Sequence, residues 1–312
     1  MAMLGSADRW TGGLILVTLC CSAGEPGQPP DIPPGTPVVM VGAGDIASCE
    51  SQGDEATASL LDDLVRDTLP VIVFTAGDNA YGDGTAGEFA ESYDPSWGRH
   101  KSLTRPAPGN HDYETDDAAG YFDYFGAAAG PPSEGYYSFD AGAWRVIVLN
   151  SNIDMDAGSD QEQWLRADLA ASDKQCTVAI WHHPRFSSGT DHGSDDESAP
   201  LWDALYEAGA ELVINGHEHN YERFAPQTPD AEPDPERGIR QFVVGTGGKD
   251  LYPFGAPVAQ SEARNDETFG VLKLTLRPGG YAWAFVPVAG TTFTDSGTAA
   301  CHWPEATVRA SS

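Results

Sequence analysis

The sequence predicts an α/β fold built on two mixed sheets. Three observations carry that expectation: near-continuous runs of β-branched residues that end in Gly-Asp, a helical pattern between the first two of them, and an alternating hairpin near the C-terminal end. Residues 37–45 read PVVMVGAGD and residues 70–78 read PVIVFTAGD. Runs this apolar, with no alternation, suit strands covered on both faces. Between them ATASLLDDLVRDTL (56–69) places Leu60, Leu61, Leu64 and Val65 on one helical face, which makes a βαβ unit with parallel strands. GYYSFDAGAWRVIVLNSN (135–152) reads as a hairpin around Ala141-Gly142. SDQEQWLRADLAASD (159–173) is a helix with Ser159 or Asp160 as N-cap and Glu162 in its first turn. CTVAIWHHP (176–184), ELVINGHEH (211–219) and RQFVVGTGG (240–248) are further strands, with the helix LWDALYEAGA (201–210) between the first two. GVLKLTLRPGGYAWAFVPV (270–288) is the alternating hairpin, turning at Pro278-Gly279-Gly280. The number of strands calls for two sheets.

Bulk properties narrow the function. The chain has 312 residues, 40% of them apolar, enough for a packed core. Its 47 acidic and 17 basic side chains give a formal charge of −30, which repels DNA, RNA and anionic membranes. No nucleic-acid partner is expected. A phosphate-bearing substrate would need a local positive centre.

The N-terminal segment 1–21 resembles an export signal. Arg9 precedes the apolar run Gly12–Cys21, which has the dimensions of a secretory core and is too short for a membrane span, which needs ~20 residues. Cys20 and Cys21 close that run where a lipid-anchored exported protein carries its modified cysteine, although the preceding Val-Thr-Leu fits such a signal poorly. The expected location is therefore extracellular, periplasmic or lipid-anchored at the cell surface. Residues 22–36, rich in proline and glycine, read as a linker, and 37–312 as one catalytic domain. With Cys20 and Cys21 set aside, Cys49, Cys176 and Cys301 remain. Three cysteines cannot all pair with one another. One disulfide suits an exported protein; Cys176–Cys301 is one choice, which the sequence leaves open.

Chemistry gathers where the buried runs end. The blocks are GDIAS with Asp45, GDNAYGDG with Asp78 and Tyr81, PGNHDYE with Asn110, His111 and Asp112, WHHP with His182 and His183, and NGHEHNYER with His217 and His219. In α/β sheets ligands sit beyond the carboxyl ends of strands. One Asp or His in such a place is an ordinary surface residue; five blocks together are not. Asp, Asn and His without cysteine are donors for a metal site of hard and borderline ions. A pair of metals would suit displacement at phosphorus.

These five blocks, in this order, resemble the calcineurin-like metallophosphoesterases and, more narrowly, their purple acid phosphatase branch. The resemblance implies a four-layer α-β-β-α sandwich of two mixed sheets. It implies that Asp45, Asp78, Tyr81 and His219 hold a first metal, and that Asn110, His182 and His217, with Asp78 as bridge, hold a second. It implies Fe(III) at the first position with Zn(II), Mn(II) or Fe(II) at the second, and hydrolysis of a small phosphate ester by in-line attack of a metal-bound hydroxide. His111 would serve the leaving-group oxygen and Asp112 would orient its ring. His192, in the polar stretch 185–200, resembles histidines that reach the phosphate from a covering loop.

Two departures matter. Most of the superfamily writes the first block as Asp-x-His, and here Ala47 stands in the histidine's place. Tyr81 can fill the gap, and a phenol, with its ordinary pKa near 10, needs a strongly acidic metal to ionise at low pH. The purple branch usually has glycine at the Ala47 position, so an extra methyl faces the site. A phosphodiesterase or nucleotidase on the same scaffold is the alternative activity. Glu218, between the two histidines, is expected to point away from the metals. Arg185 and Arg223 are expected to pair with carboxylates, and Trp202, Trp283, Tyr136 and Tyr137 to lie in the core.

Overall fold

The computed structural model describes Met1 and residues 32–302. The export-like segment with Cys20 and Cys21, and most of the Pro/Gly-rich linker, lie outside those residues.

In chain order the elements are β1 (Val38–Ala43), β2 (Ala47–Ser48), α1 (Gly53–Leu64), β3 (Val71–Ala76), β4 (Ala80–Tyr81), α2 (Ala86–Glu88), β5 (Thr104–Ala107), α3 (Ala119–Phe125), β6 (Tyr137–Ala141), β7 (Trp144–Val148), α4 (Asp160–Ala171), β8 (Cys176–Ile180), α5 (Ala199–Ala208), β9 (Leu212–Asn215), β10 (Tyr221–Phe224), β11 (Arg240–Val244), β12 (Ser261–Asn265), β13 (Gly270–Arg277), β14 (Gly280–Pro287) and β15 (Ser296–Ala300). They form two mixed sheets, ordered β15-β14-β13-β1-β3-β5 and β12-β10-β11-β9-β8-β7-β6, with β2 and β4 as a small separate pair.

Each sheet has a parallel part: β1, β3 and the edge strand β5 in one, and β7, β8, β9 and β11 in the other. Apart from β5, these are the apolar runs of the sequence, and they are largely buried because both their faces are covered. Between the sheets lies a core that includes Val41, Val73, Val146, Val178, Ile214 and Leu272. Helix α1 packs on β1 and β13 through Ala58 and Leu61. Helices α4 and α5 cover the second sheet with Leu165, Leu201, Trp202 and Leu205 against Ala179, Trp181, Val213 and Val243. The layers therefore run α-β-β-α. Ser159 is the N-cap of α4, its side chain accepting from Glu162 N–H. Trp202 and Trp283 are buried, and Arg185 and Arg223 pair with Asp196 and with Asp295 and Glu262.

Some boundaries differ from the sequence reading. The strands read over 176–184, 211–219 and 240–248 end at Ile180, Asn215 and Val244, so the histidines and the Gly-rich stretch lie on turns beyond the sheet. Strands β5, β10, β12 and β15 carry no apolar run. β12 and β15 are edge strands of small or polar residues, TRPA of β5 is a charged edge strand, and YERF of β10 carries charge inside a sheet. Hydropathy alone does not reveal such strands.

Cys176 and Cys301 form a disulfide, and Cys49 has no partner among the described residues. Beside the bridge Glu211 is buried, accepting from Thr177 N–H at 2.6 Å and His302 N–H at 3.0 Å. Burial pushes its carboxyl up to about 8, against the pull of those backbone donors. A raised acid pKa favours the protonated, folded form, so this contribution is complete below the ordinary carboxyl range and is lost as pH rises through about 8. Relative to Glu211→Gln, the wild-type protein should lose stability on the order of 3 kcal/mol between about pH 5 and pH 8. Paired urea titrations across that range measure it; parallel pH curves for the two proteins would remove Glu211 as the cause.

Candidate metal centre

Asp45, Asp78, Asn110, His182 and the 216–219 turn all follow parallel strands whose carboxyl ends meet at one edge of the sandwich. Backbone hydrogen bonds lock these turns together. Asp45 N–H donates to Gly77 O at 3.1 Å, Ile46 N–H to Asp78 O at 3.0 Å, and Gly216 N–H to His182 O at 3.0 Å. Glycine before an acid or amide ligand has a steric reason. A Cβ on Gly109 would lie 2.1 Å from Asp78 Oδ1, and one on Gly77 2.3 Å from His182 Nδ1. Asp45, Asp78 and His217 have φ values of 60°, 50° and 71°. Three non-glycine residues in the left-handed region at one site mark backbone strain held by its surroundings.

The side chains converge in two groups. Tyr81 Oη lies 2.9 Å from Asp45 Oδ1, 2.8 Å from Asp78 Oδ2 and 3.0 Å from His219 Nε2. His182 Nε2 lies 3.1 Å from Asn110 Oδ1, 3.2 Å from His217 Nδ1 and 3.3 Å from Asp78 Oδ2. Asp78 Oδ2 thus belongs to both groups. The two carboxylates, Tyr81, His182 and His219 are buried. His217 and His219 reach different groups because they sit on a turn, not on one face of a strand as the two-residue spacing suggests. His183 also lies beyond its strand, and its ring stands 5.1 Å from that of His182 and 4.3 Å from that of His217. Its Nδ1 lies 2.7 Å from Ser151 Oγ, and burial and the neighbouring His182 pull its imidazole down to about 3.

A second ring of contacts orients these groups. His182 Nδ1 is 2.8 Å from the Ala76 carbonyl, so it donates there and leaves Nε2 free to bind. His219 Nδ1 is held by Asp250 Oδ1 at 2.5 Å, and Tyr252 stacks on its ring with centroids 3.9 Å apart. Asp250 and Tyr252 follow β11 just beyond the Gly-rich stretch read as the end of a strand; extending the strand-end rule to a sixth strand would have reached Asp250. Asp112 does not orient His111. It is buried and accepts from Gly109 N–H at 2.9 Å, Asn79 Nδ2 at 2.9 Å and Asn79 N–H at 3.2 Å. Its carboxylate hydrogen bonds are with Asn79 and Gly109 and not with the His111 ring. The His111 ring instead meets the Gly82 carbonyl through Nδ1 at 2.5 Å and lies 4.4 Å from the Tyr81 ring. Ala47 pairs with Ala80 between β2 and β4 and is buried among core residues, which absorb its methyl.

Electrostatics show what the cluster lacks. Burial opposes charge on the imidazoles of His182 and His219, yet Asp78 raises the first to about 9 and Asp45 with Asp250 raises the second to about 10. Burial, with Asp45 and Asp78, pushes the Tyr81 phenol well above its ordinary range. Burial and the His182 charge push His217 down. Two buried carboxylates therefore draw positive charge from whatever is near. The donor set fits a pair of metal ions: carboxylate, phenol, amide and imidazole atoms aimed at two adjacent points. Asp45, Asp78 and His182 alone place three ligand atoms within 4.8 Å of one another.

The fold is that of the calcineurin-like phosphoesterases, and the chain belongs to that family, whose model matches residues 40–221. Among curated relatives it is 35% identical to purple acid phosphatase 15 of Arabidopsis thaliana over 179 residues, 51% of this chain and 33% of that one. It is 32% identical to purple acid phosphatase 21 of the same plant over 184 residues, 51% of this chain and 41% of that one. The chain thus spans less than half the length of these relatives. Of solved structures, purple acid phosphatase PPD1 from yellow lupin seeds matches with a TM-score of 0.73 at 20% identity, covering 88% of this chain and 55% of that one, a likeness of fold. Among the described residues no helix is long and apolar enough to cross a membrane.

Proposed function

We propose that this protein is an exported phosphatase that hydrolyses small phosphate monoesters at a binuclear centre of Fe(III) with Zn(II), Mn(II) or Fe(II). The observation that carries the proposal is Tyr81. It stands where the phenol oxygen touches Asp45, Asp78 and His219 together, in a chain with Ala47 where most of the superfamily has histidine. Asp45, Asp78, Tyr81 and His219 would hold the ferric ion; Asn110, His182, His217 and Asp78 would hold the divalent one. When bound, the pair supplies Lewis acidity for an attacking solvent molecule and positive charge at phosphorus. A phenol, with its ordinary pKa near 10, ionises at low pH only against a strongly acidic metal, which supports iron(III) beside it.

The other residues orient and exchange protons. His111, whose Nδ1 meets Gly82 O and whose ring lies beside that of Tyr81, would use its remaining nitrogen to serve the leaving-group oxygen. Asp112 shapes the Gly109–Asp112 turn from within. His192 approaches from the loop after β8. The disulfide supports an oxidising compartment.

The visible spectrum of the purified protein tests the centre. A phenolate-to-iron band is expected in the wild type and should vanish in Tyr81→Phe. A colourless, fully active zinc or manganese protein would sink the iron assignment. Relative rates on p-nitrophenyl phosphate and bis(p-nitrophenyl) phosphate separate monoesterase from diesterase.

A further inference from the structure

Glu218 lies between His217 and His219 yet takes no part in either group of the centre. Its side chain is 0% exposed, and a carboxylate so deep requires donors. It finds two consecutive backbone amides of the loop after β8. His192 N–H donates to Oε1 at 2.8 Å, and Gly193 N–H donates to the same oxygen. Gly193 has φ 77°, and left-handed backbone here turns successive N–H groups to one side, making a small anion seat. The loop presses on the carboxylate from its other end as well, since a Cβ on Gly189 would lie 2.1 Å from Oε2. A second buried acid of the same block, Glu222, accepts from Ser188 N–H at 2.7 Å and Ser188 Oγ at 2.5 Å. Thr190 Oγ1 donates to Pro253 O at 3.0 Å on the outer side. So tethered, the loop lays the exposed His192 ring on His217, with centroids 4.0 Å apart and planes 26° apart.

We infer that Glu218 is a positioning residue, whose carboxylate clamps residues 187–193 so that His192 stands over the His182–His217 side of the centre and donates to a phosphoryl oxygen of the substrate. The inference rests on the phosphatase reading of the centre. It gives a reason for an acidic residue between two histidines where a neutral one would spare the burial of a charge.

The test uses Glu218→Gln, which keeps size but weakens the acceptor, and Gly189→Ala, which pushes the loop off Glu218 without altering the acid. In both, amide exchange at His192 and Gly193 should speed up at least about tenfold. The KM for p-nitrophenyl phosphate and the inhibition constant of inorganic phosphate should rise together, about three- to tenfold, as in His192→Ala, with kcat falling less and metal content unchanged. Adding Glu218→Gln to His192→Ala should do no further harm. Additive losses in that double variant, or faster exchange with an unchanged KM, would overturn the positioning role, and unchanged exchange would overturn the clamp. A wild-type protein inert toward p-nitrophenyl phosphate and unable to bind phosphate would instead overturn the phosphatase reading; the exchange measurement still decides the clamp in that case.

Discussion

In Asp78→Asn, kcat/KM for p-nitrophenyl phosphate should fall by at least about a thousandfold, roughly 4 kcal/mol of lost transition-state stabilisation, and the metal content should drop below that of the wild type. Asp78 Oδ2 is the atom shared by both groups, 2.8 Å from Tyr81 Oη and 3.3 Å from His182 Nε2. Its other oxygen accepts from His111 N–H at 2.8 Å. Asparagine cannot serve both sides. Its oxygen must meet the His111 amide, because a second N–H there would face a donor, and the NH2 group then points where the bridge belongs. The change is isosteric, so near-UV circular dichroism should remain that of the wild type. A variant with full metal occupancy and activity within about tenfold of the wild type would remove Asp78 from the bridging role.

The largest stability effect is expected from the disulfide. Cys176 begins β8 in one sheet, and Cys301 follows β15 at the edge of the other. The bridge spans 125 residues of chain. By the loop-entropy relation, closing a loop of that size stabilises the fold by about 4–5 kcal/mol. The double variant Cys176→Ala/Cys301→Ala should therefore melt about 7 °C below the wild type. Activity at low temperature should persist, because His182 lies six residues further along the same segment as Cys176, about 20 Å away if extended throughout. Equal melting temperatures for the reduced and oxidised wild type would contradict this account. A loss of activity without a loss of stability would show instead that the bridge reaches the metal centre.

Much was legible without coordinates. The apolar runs that became β1, β3, β8, β9 and β11 read as buried strands because a strand covered on both faces has no polar side to interrupt it. The residues that meet in the centre were legible for a related reason. A strand buried on both faces delivers its next residue to the sheet edge, so Asp45, Asp78, His182 and the 217–219 pair could be collected from the positions just beyond each run. The hairpin over 270–288 was legible through its strict alternation, which exposes one face. Strands such as β10 and β15 were not, since charged or small residues there leave no hydropathy pattern.

By itself, then, the sequence determined the α/β class, the parallel pairing of the first two buried strands and the set of side chains that could converge, because these depend on burial and on local order along the chain. Only the tertiary structure decided how they are shared. It placed His217 and His219 in different groups through a left-handed turn, joined Cys176 to Cys301 across 125 residues, and gave Asp112 to the backbone instead of to His111. It also brought Asp250 behind His219 and the His192–Gly193 amides onto Glu218. Each of these depends on atoms far apart in sequence being held within hydrogen-bond reach, and no periodicity in the chain records such a distance.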